Sequence, residues 1–153
     1  MNAGGAQYGG VWQADKPYSY GSWGYVSGAT YTTAAAIDGT TDDPLYQSEH
    51  WWSGSGGYKF DVANGSYRVT LKFAEIYYNS GGLRTFDVRL EGTTVLSNFD
   101  VFLAAPGKNR AVDRTFTVVV NDGTLNIDFV ARVGGPKVNA IVVEVLEPAT
   151  PTG

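Results

Sequence analysis

Residues 66–73 read SYRVTLKF, a run in which polar and apolar side chains alternate strictly. The apolar members share one parity and are Tyr67, Val69, Leu71 and Phe73. Successive side chains of a β-strand point to opposite faces, so this pattern predicts a strand with one face in a core and the other in solvent. The same period of two recurs at residues 84–90, 116–120 and 125–129. In residues 84–90 it predicts Asp87 on the outer face.

Turn-forming dipeptides separate the alternating runs, at Asn64-Gly65, Glu91-Gly92 and Asp122-Gly123. Residues 138–146 are apolar on both faces, which predicts a strand buried within a sheet. No window of a dozen residues has an apolar period of 3.6, and Ala34–Ile37 is predicted to form one helical turn at most. These features together predict an all-β protein, an antiparallel β-sandwich.

Composition limits the possible functions of this 153-residue chain, which has the length of one domain. Its 11 basic and 15 acidic residues give a net charge of −4, which disfavours binding to nucleic acid. No apolar run approaches the roughly 18 residues of a membrane span. The absence of cysteine excludes disulfides and thiolate metal sites. We therefore expect neither a nucleic-acid nor a membrane partner.

The two ends of the chain differ in composition. Residues 148–153 read PATPTG, which predicts either a frayed terminus or the start of an extended linker. Residues 1–147 are then the folded module. Residues 1–8 contain no charged and apolar leader, so no signal peptide is expected in them.

The catalytic signals in the sequence are weak. His50 is the one histidine, and no Gly-x-Ser-x-Gly elbow accompanies it, so we interpret it as a structural or surface residue. Pairs of carboxylates for glycoside hydrolysis are available among Asp42, Asp43, Glu49 and Glu75, but 15 acidic residues make such pairs common by chance. We expect no catalytic residues.

The segment Asp38–Asp43 offers several hard oxygen ligands that suit calcium. It lacks the spacing and the terminal glutamate of an EF-hand, and aspartate and threonine are also ordinary turn formers. We predict no metal ligands and no cofactor, with a structural calcium at this segment as the less favoured alternative.

All ten tyrosines and all four tryptophans fall within residues 8–78. Trp51-Trp52 and Tyr77-Tyr78 are adjacent pairs at the ends of extended stretches. At most one member of each pair enters the core, because neighbours in a strand point to opposite faces. The other rings either stack on sugar rings or cap an open end of the sandwich, and composition leaves both interpretations open.

Glu75 continues the inward parity of the strand at residues 66–73. A buried carboxylate has to be paired or neutral. We predict an ion pair with Arg84 or Arg89, or a role in anchoring backbone N–H groups of the rim loop.

Several motifs in chain order resemble the malectin family and family 57 carbohydrate-binding modules. They extend over nearly the whole chain, from residue 2 to about residue 146. The motifs are Asn2-Ala3-Gly4-Gly5, Val11-Trp12-Gln13-Ala14-Asp15, Leu45-Tyr46-Gln47-Ser48-Glu49, Phe73-Ala74-Glu75-Ile76-Tyr77, Phe86-Asp87-Val88 with Leu90-Glu91-Gly92, Asn98-Phe99-Asp100-Val101 and Pro136-Lys137-Val138-Asn139-Ala140.

The resemblance implies a jelly-roll-like sandwich that binds carbohydrate without cleaving it, through aromatic residues on loops at one end. The ligand-binding residues that it implies here are Trp12, Trp51, Tyr77 and Tyr78, and we expect Asn79 to add polar contacts. The family also has an aspartate just before the Pro136-Lys137 segment, where this chain has Gly134 and Gly135. The family's own ligand therefore does not carry over directly.

We thus expect a non-catalytic, carbohydrate-binding module for a β-linked glucan or a related plant or microbial polysaccharide. By the resemblance it is extracellular, part of a secreted bacterial enzyme, covalently linked to a glycoside hydrolase and monomeric. Two alternatives remain: a protein-interaction module of the malectin-like class, and a small glycoside hydrolase that uses acids such as Asp42 and Glu75.

Overall fold

The computed structural model describes residues 1–9 and 12–146. The predicted tail at residues 148–153 lies outside the described residues and stays a prediction. The strands are β1 (Trp23–Val26), β2 (Ala29–Thr32), β3 (Ser48–Trp51), β4 (Gly56–Asp61), β5 (Gly65–Phe73), β6 (Thr85–Leu90), β7 (Thr93–Phe99), β8 (Val112–Val120), β9 (Thr124–Val133), β10 (Lys137–Val138) and β11 (Ala140–Val145). Two single-turn helices, α1 (Asp43–Tyr46) and α2 (Val101–Ala104), interrupt them. Neither helix of the described part is long and apolar enough to cross a membrane.

The strands form three antiparallel sheets, so the prediction of an all-β sandwich is confirmed. One sheet has five strands in the order β1-β4-β9-β6-β7, and it faces a three-stranded sheet in the order β11-β5-β8. A smaller sheet has the order β10-β3-β2. Ala34–Ile37, where one helical turn at most was expected, is not helical, and α1 begins six residues after Ile37.

The core lies between the two larger sheets. The predicted inward faces of β5 and β9 are buried, and their members are Tyr67, Val69, Leu71, Phe73, Leu125, Ile127 and Phe129. Burying a large apolar side chain stabilises a fold by about 1.5–3 kcal/mol, so these faces supply much of the hydrophobic stabilisation. A second cluster of buried residues contains Ile37, Leu45, Tyr46, Ala74, Ile76 and Ala140.

The three turn dipeptides have different roles. Glu91 and Gly92 have φ angles of 51° and 80°, as a tight turn with two left-handed residues requires, and they join β6 to β7 as a hairpin. Asn64-Gly65 and Asp122-Gly123 instead connect strands of different sheets. The backbone N–H of Gly123 donates to the Asn64 side chain over 2.8 Å, which ties these two crossings together.

One detail of the strand predictions was incomplete and one was wrong. Asp87 lies on the face opposite Phe86 and Val88, as predicted, but it is buried there, beside the bulge at which Ser97 and Asn98 of β7 oppose it. Its carboxylate accepts hydrogen bonds from the Asn98 backbone over 2.8 Å and from Arg132 over 2.5 Å. Residues 138–146 are not one buried strand, because β10 and β11 belong to different sheets and β11 is an edge strand.

Asn139 produces this division of the C-terminal strand. Its side-chain oxygen accepts from the Ala74 backbone over 2.9 Å, and its amide nitrogen donates to the carbonyls of Tyr46 and Ser48 over 3.0 Å each. The backbone groups that the break in the ladder would leave unpaired at this crossing are therefore satisfied. As a result, β10 extends the small sheet while β11 pairs with β5.

Candidate functional site

The small sheet β10-β3-β2 provides the floor of a cavity. Glu49 is paired with Tyr31 in β2, and Trp51 is paired with Lys137 in β10. Directly paired residues share a face of the sheet, and so do residues two apart along a strand. These four side chains therefore lie on one face, while His50 lies on the opposite one.

Tyr77 and Tyr78 reach the cavity from the loop that follows β5. Oε2 of Glu75 accepts hydrogen bonds from the backbone N–H groups of Tyr77 over 3.2 Å and of Tyr78 over 3.4 Å. Oε1 accepts from Nε of Arg84 over 2.9 Å. Both predicted roles of Glu75, the ion pair with Arg84 and the anchoring of the rim loop, are present at once.

The cavity has a volume of about 180 Å³. It is lined by residues from the small sheet, the loop after β5, and the segments before β6 and β10: Tyr31, Glu49, Trp51, Tyr77, Tyr78, Arg84 and Gly135. Four aromatic rings thus surround two charged groups. The side-chain hydroxyls of the tyrosines and the indole N–H of Trp51 have no hydrogen-bond partner among the described residues, so they are available to a ligand.

The rings form a chain of edge-to-face contacts. The centroids of Tyr31 and Tyr77 are 5.3 Å apart with planes at 86°, and those of Tyr77 and Tyr78 are 4.9 Å apart at 87°. Tyr77 keeps 52% of its surface exposed to solvent. The guanidinium carbon of Arg84 lies 5.0 Å from the centroid of Tyr78, within cation–π range.

Below the rings lies a buried cluster of two carboxylates and two cations. Nζ of Lys137 donates to Oε1 of Glu49 over 2.9 Å and to the carbonyl of Ala74. The second pair is Arg84 with Glu75, so the cluster as a whole is neutral. Burial lowers the pKa of Lys137, while the charges of Glu49 and Glu75 oppose that shift. The opposite charges allow four ionic groups to lie beneath an aromatic surface.

Three of the predicted ligand-binding residues meet at the cavity, namely Trp51, Tyr77 and Tyr78. Trp12 is not among the lining residues; it packs, half-buried, against the second cluster. Asn79 is exposed beside Tyr78 and accepts a hydrogen bond from Lys108 over 2.8 Å. His50 is buried, as the structural interpretation requires, with Nδ1 3.0 Å from Asp15 and Nε2 2.7 Å from the carbonyl of Ser27.

Sequence reasoning missed Tyr31, Arg84 as a lining residue, and the placement of Glu49 beside Trp51. The spacing of Glu49 and Trp51 already carries a signal, because residues two apart in a strand share a face. Tyr31 reaches the cavity through the pairing of β2 with β3, and Arg84 through its contacts with Glu75 and the Gly135 carbonyl, which no local pattern encodes.

Two side chains of the segment Asp38–Asp43 accept hydrogen bonds from backbone N–H groups. The Asp43 carboxylate accepts from the N–H of Ile37 over 3.0 Å, and the Thr40 hydroxyl accepts from the N–H of Asp42 over 2.9 Å. Across residues 1–9 and 12–146, no group of three or more histidine or acidic side chains is placed to hold a metal ion.

The sequence profile of the Malectin domain matches residues 1–143. The chain belongs to the Malectin domain family. Malectin domains are non-catalytic, so the chain is a carbohydrate-binding or interaction module and the small-hydrolase alternative is wrong. Glu75, one of the acids considered for hydrolysis, has both carboxylate oxygens occupied by protein donors.

Curated relatives of this Malectin domain include Malectin-B of Xenopus laevis and human Malectin, each 33% identical over 87 residues. The matches cover 56% of this chain and 31% and 30% of those proteins. A probable leucine-rich-repeat receptor-like serine/threonine-protein kinase of Arabidopsis thaliana is 34% identical over 104 residues, which is 57% of this chain and 10% of the kinase. The chain thus spans about a third or less of these relatives.

Solved structures with a similar fold include an enzyme and a receptor ectodomain. A β-glucuronidase of Bacteroides uniformis superimposes with a TM-score of 0.83 at 25% identity, over 96% of this chain and 18% of that one. The extracellular domain of ANXUR2 from Arabidopsis thaliana superimposes with a TM-score of 0.81 at 16% identity, over 96% and 48%. The second likeness shows the fold alone.

Proposed function

We propose that this Malectin domain binds a glycan in the aromatic cavity and brings an attached glycoside hydrolase to its polysaccharide. The observation that carries the proposal is the open ring surface of Tyr31, Trp51, Tyr77 and Tyr78 over one small cavity. The axial C–H groups of a sugar complement a flat aromatic face, and the free hydroxyls and indole N–H complement the sugar's polar edges. Asn79 adjoins Tyr78 and extends the polar rim.

The size of the cavity limits what enters it. A volume of about 180 Å³ is below the roughly 300–1,000 Å³ of pockets that enclose drug-sized ligands. One sugar residue therefore occupies the cavity, and the remainder of the glycan lies across the exposed rim at Tyr77. A few stacking contacts, each worth about 0.5–1.5 kcal/mol, give micromolar to millimolar affinity once the entropic cost of binding is subtracted.

The glycan class that we propose is a β-linked glucan or a related plant or microbial polysaccharide. Trp51 stands where the malectin family has tyrosine, which enlarges the stacking face and removes one hydroxyl. At this position the exchange favours stacking along a β-linked chain over a hydrogen bond from a tyrosine hydroxyl.

Affinity gels cast with β-glucans, mannans and galactans test the glycan proposal. We expect retardation on at least one gel, with loss of retardation in Trp51→Ala and Tyr77→Ala. Tyr20→Ala is the matched control, because Tyr20 is 97% exposed and does not line the cavity. Folded wild-type protein that migrates freely on every gel would contradict the proposal.

The attachment to a hydrolase is supported by the β-glucuronidase, of which a domain with this fold makes up about a fifth. We propose a secreted, extracellular parent protein, a monomeric module at residues 1–147 and a linker that starts at residues 148–153. Tethering raises the effective concentration of a catalytic domain at its substrate. Fusing the module to a β-glucanase should accelerate hydrolysis of insoluble glucan, whereas adding it as a separate chain should not.

A second candidate function is binding to a protein partner, because receptor-like relatives carry this domain. The observation in its favour is apolar surface on the loop that follows Tyr78: Leu83 is exposed, and the exposed Leu103 approaches Gly81. The double variant Leu83→Ser with Leu103→Ser should leave gel retardation unchanged if the aromatic cavity alone binds the glycan. Absence of retardation on all gels would favour the protein-binding candidate.

A further inference from the structure

We infer that Glu49 and Arg84 form a hydroxyl-binding pair on the cavity floor, where one sugar hydroxyl donates to Oε2 of Glu49 and accepts from Nη2 of Arg84. The inference rests on the proposed glycan site and deepens it, because it names two specificity-determining residues and the ligand chemistry that they select. The class selected is a neutral saccharide with a free hydroxyl at one defined position.

Each of the two residues has one end fixed and one end free. Oε1 of Glu49 accepts from Lys137 over 2.9 Å. Nε of Arg84 donates to Glu75 over 2.9 Å, and Nη1 donates to the Gly135 carbonyl over 2.7 Å. Within the described residues, Oε2 of Glu49 and Nη2 of Arg84 make no hydrogen bond. The two atoms are 3.9 Å apart, beyond hydrogen-bond distance.

The separation of 3.9 Å suits a bridging hydroxyl. An oxygen at about 2.8 Å from both atoms completes a triangle with them, and this is the normal distance of a strong hydrogen bond. A hydroxyl both donates and accepts, so it satisfies a carboxylate acceptor and a guanidinium donor at the same time. Both bonds are assisted by a full charge, which makes them about twice as strong as neutral ones.

A ligand carboxylate fits this pair poorly. It would gain the contact with Arg84 but would place a negative charge beside Glu49, and like charges at short distance repel. A methylated or deoxygenated position also fits poorly, because it cannot donate to Oε2. The pair therefore selects against uronic acids and against substitution at the position that it reads.

The pair is held in place by buried neighbours. Glu49 is 1% exposed and Arg84 is 6% exposed. Lys137 and Glu75 fix their positions from below, and the Tyr78 ring lies 5.0 Å from the Arg84 guanidinium carbon. Binding therefore requires little reordering of these side chains, so the hydrogen bonds contribute to affinity with a small entropic cost.

Analogues of the ligand test the inference on the unmodified protein. The probes are the best-retained neutral oligosaccharide from the gel screen, its set of single-deoxy and single-O-methyl derivatives, and the derivative with one sugar oxidised to the uronic acid. Titration calorimetry should show one hydroxyl whose removal or methylation weakens binding about ten- to a hundredfold. The uronic acid should bind at least as weakly as that derivative.

The variant Glu49→Gln tests whether the carboxylate of Glu49 accepts the hydrogen bond from the sugar hydroxyl. We expect it to weaken the parent ligand while leaving the affinity of the critical deoxy derivative unchanged, because that derivative has already lost the contact. Glu91→Gln is the matched control. Glu91 accepts a hydrogen bond of 2.5 Å from the Asn126 backbone, and it does not line the cavity. If Glu49→Gln fails to fold, the analogue series on the wild-type protein still decides the question.

The outcomes separate the inference from the proposed function. Equal affinities across all deoxy derivatives, or a uronic acid that binds as tightly as its parent, would overturn the hydroxyl-binding pair while the glycan site stands. Absence of binding to any saccharide would overturn the proposed function and the inference with it.

Discussion

The guanidinium of Arg84 and the carboxylate of Glu75 form a buried ion pair, with Nε and Oε1 2.9 Å apart, directly beneath the rim of the cavity. The second carboxylate oxygen holds the backbone N–H groups of Tyr77 and Tyr78. One carboxylate thus connects a charged pair in the interior to two of the four rings of the site.

Removing this carboxylate should damage both stability and binding. For Glu75→Ala we expect a loss of about 3–5 kcal/mol in the free energy of unfolding, because Arg84 stays buried without its partner. Glu75→Gln should lose less, since an amide oxygen still accepts from the Tyr77 and Tyr78 backbone. Urea denaturation measures the first effect and gel retardation the second. Unchanged retardation in Glu75→Ala would show that the loop holds its shape without this anchor.

Tyr31 should contribute to affinity with little effect on stability. Its ring meets Tyr77 edge-to-face at 5.3 Å from the β2 side of the cavity. We expect Tyr31→Ala to weaken glycan binding by about 0.5–1.5 kcal/mol, or roughly two- to thirteenfold, and to leave the unfolding midpoint nearly unchanged. Calorimetry with the retained oligosaccharide measures the change, and Tyr20→Ala serves as the comparison for an exposed tyrosine.

Trp12 should contribute to stability rather than to affinity. It packs against the cluster that contains Ile37 and Leu45, and it does not line the cavity. We expect Trp12→Ala to lower the unfolding midpoint while leaving the dissociation constant within about twofold of wild type, because an alanine leaves a packing void. A large loss of affinity in a variant of normal stability would place Trp12 in the site.

Asn139 should be among the costliest small residues to replace. Its side chain satisfies the Ala74 N–H and the carbonyls of Tyr46 and Ser48. In Asn139→Ala these buried groups lose their partners, at about 1–3 kcal/mol for each. Asn126→Ala is the comparison, because its amide makes one long contact, 3.4 Å, with Glu91. Urea midpoints of the two variants that agree within error would contradict this role.

Acid should weaken the five-stranded sheet through Asp87. Its hydrogen bonds from Arg132 and from the Asn98 backbone hold its pKa below the ordinary value. A carboxyl whose folded pKa is lowered contributes stability above its unfolded pKa of about 3.9, and that contribution is lost as the pH falls through the folded value. Asp87→Asn should therefore show a shallower loss of stability below about pH 5 than wild type, as measured by urea midpoints between about pH 2.5 and 7.

The features of the fold and the site that could be predicted from the sequence depend on residues that are neighbours along the chain. Strict alternation identified the buried faces of β5 and β9, because each side chain's face depends only on its neighbours along the strand. Glu91-Gly92 identified a turn, because the conformation of a tight turn depends on adjacent residues. The inward position of Glu75 also followed from parity, and its need for a cation followed from burial.

The features that escaped prediction depend on contacts between distant segments. Asp87 is buried on the outer face because the Asn98 backbone at a bulge of β7 and the Arg132 side chain of β9 contact its carboxylate, which alternation within β6 does not reveal. The division of the last strand depends on Asn139 meeting Ala74, Tyr46 and Ser48. Tyr31 reaches Glu49 only through the pairing of β2 with β3.

The direction of β5 has a practical consequence for anyone who wishes to immobilise this module. Its nine residues run from Gly65 to Phe73, and the Tyr77-Tyr78 loop follows the Phe73 end. The backbone of Leu146 donates to the Ser66 carbonyl over 3.0 Å, at the other end of the same strand. At about 3.3 Å per residue, Ser66 and Phe73 are separated by more than 20 Å along the strand. A sensor surface or reporter joined after residue 146 would therefore leave the mouth of the cavity facing outward.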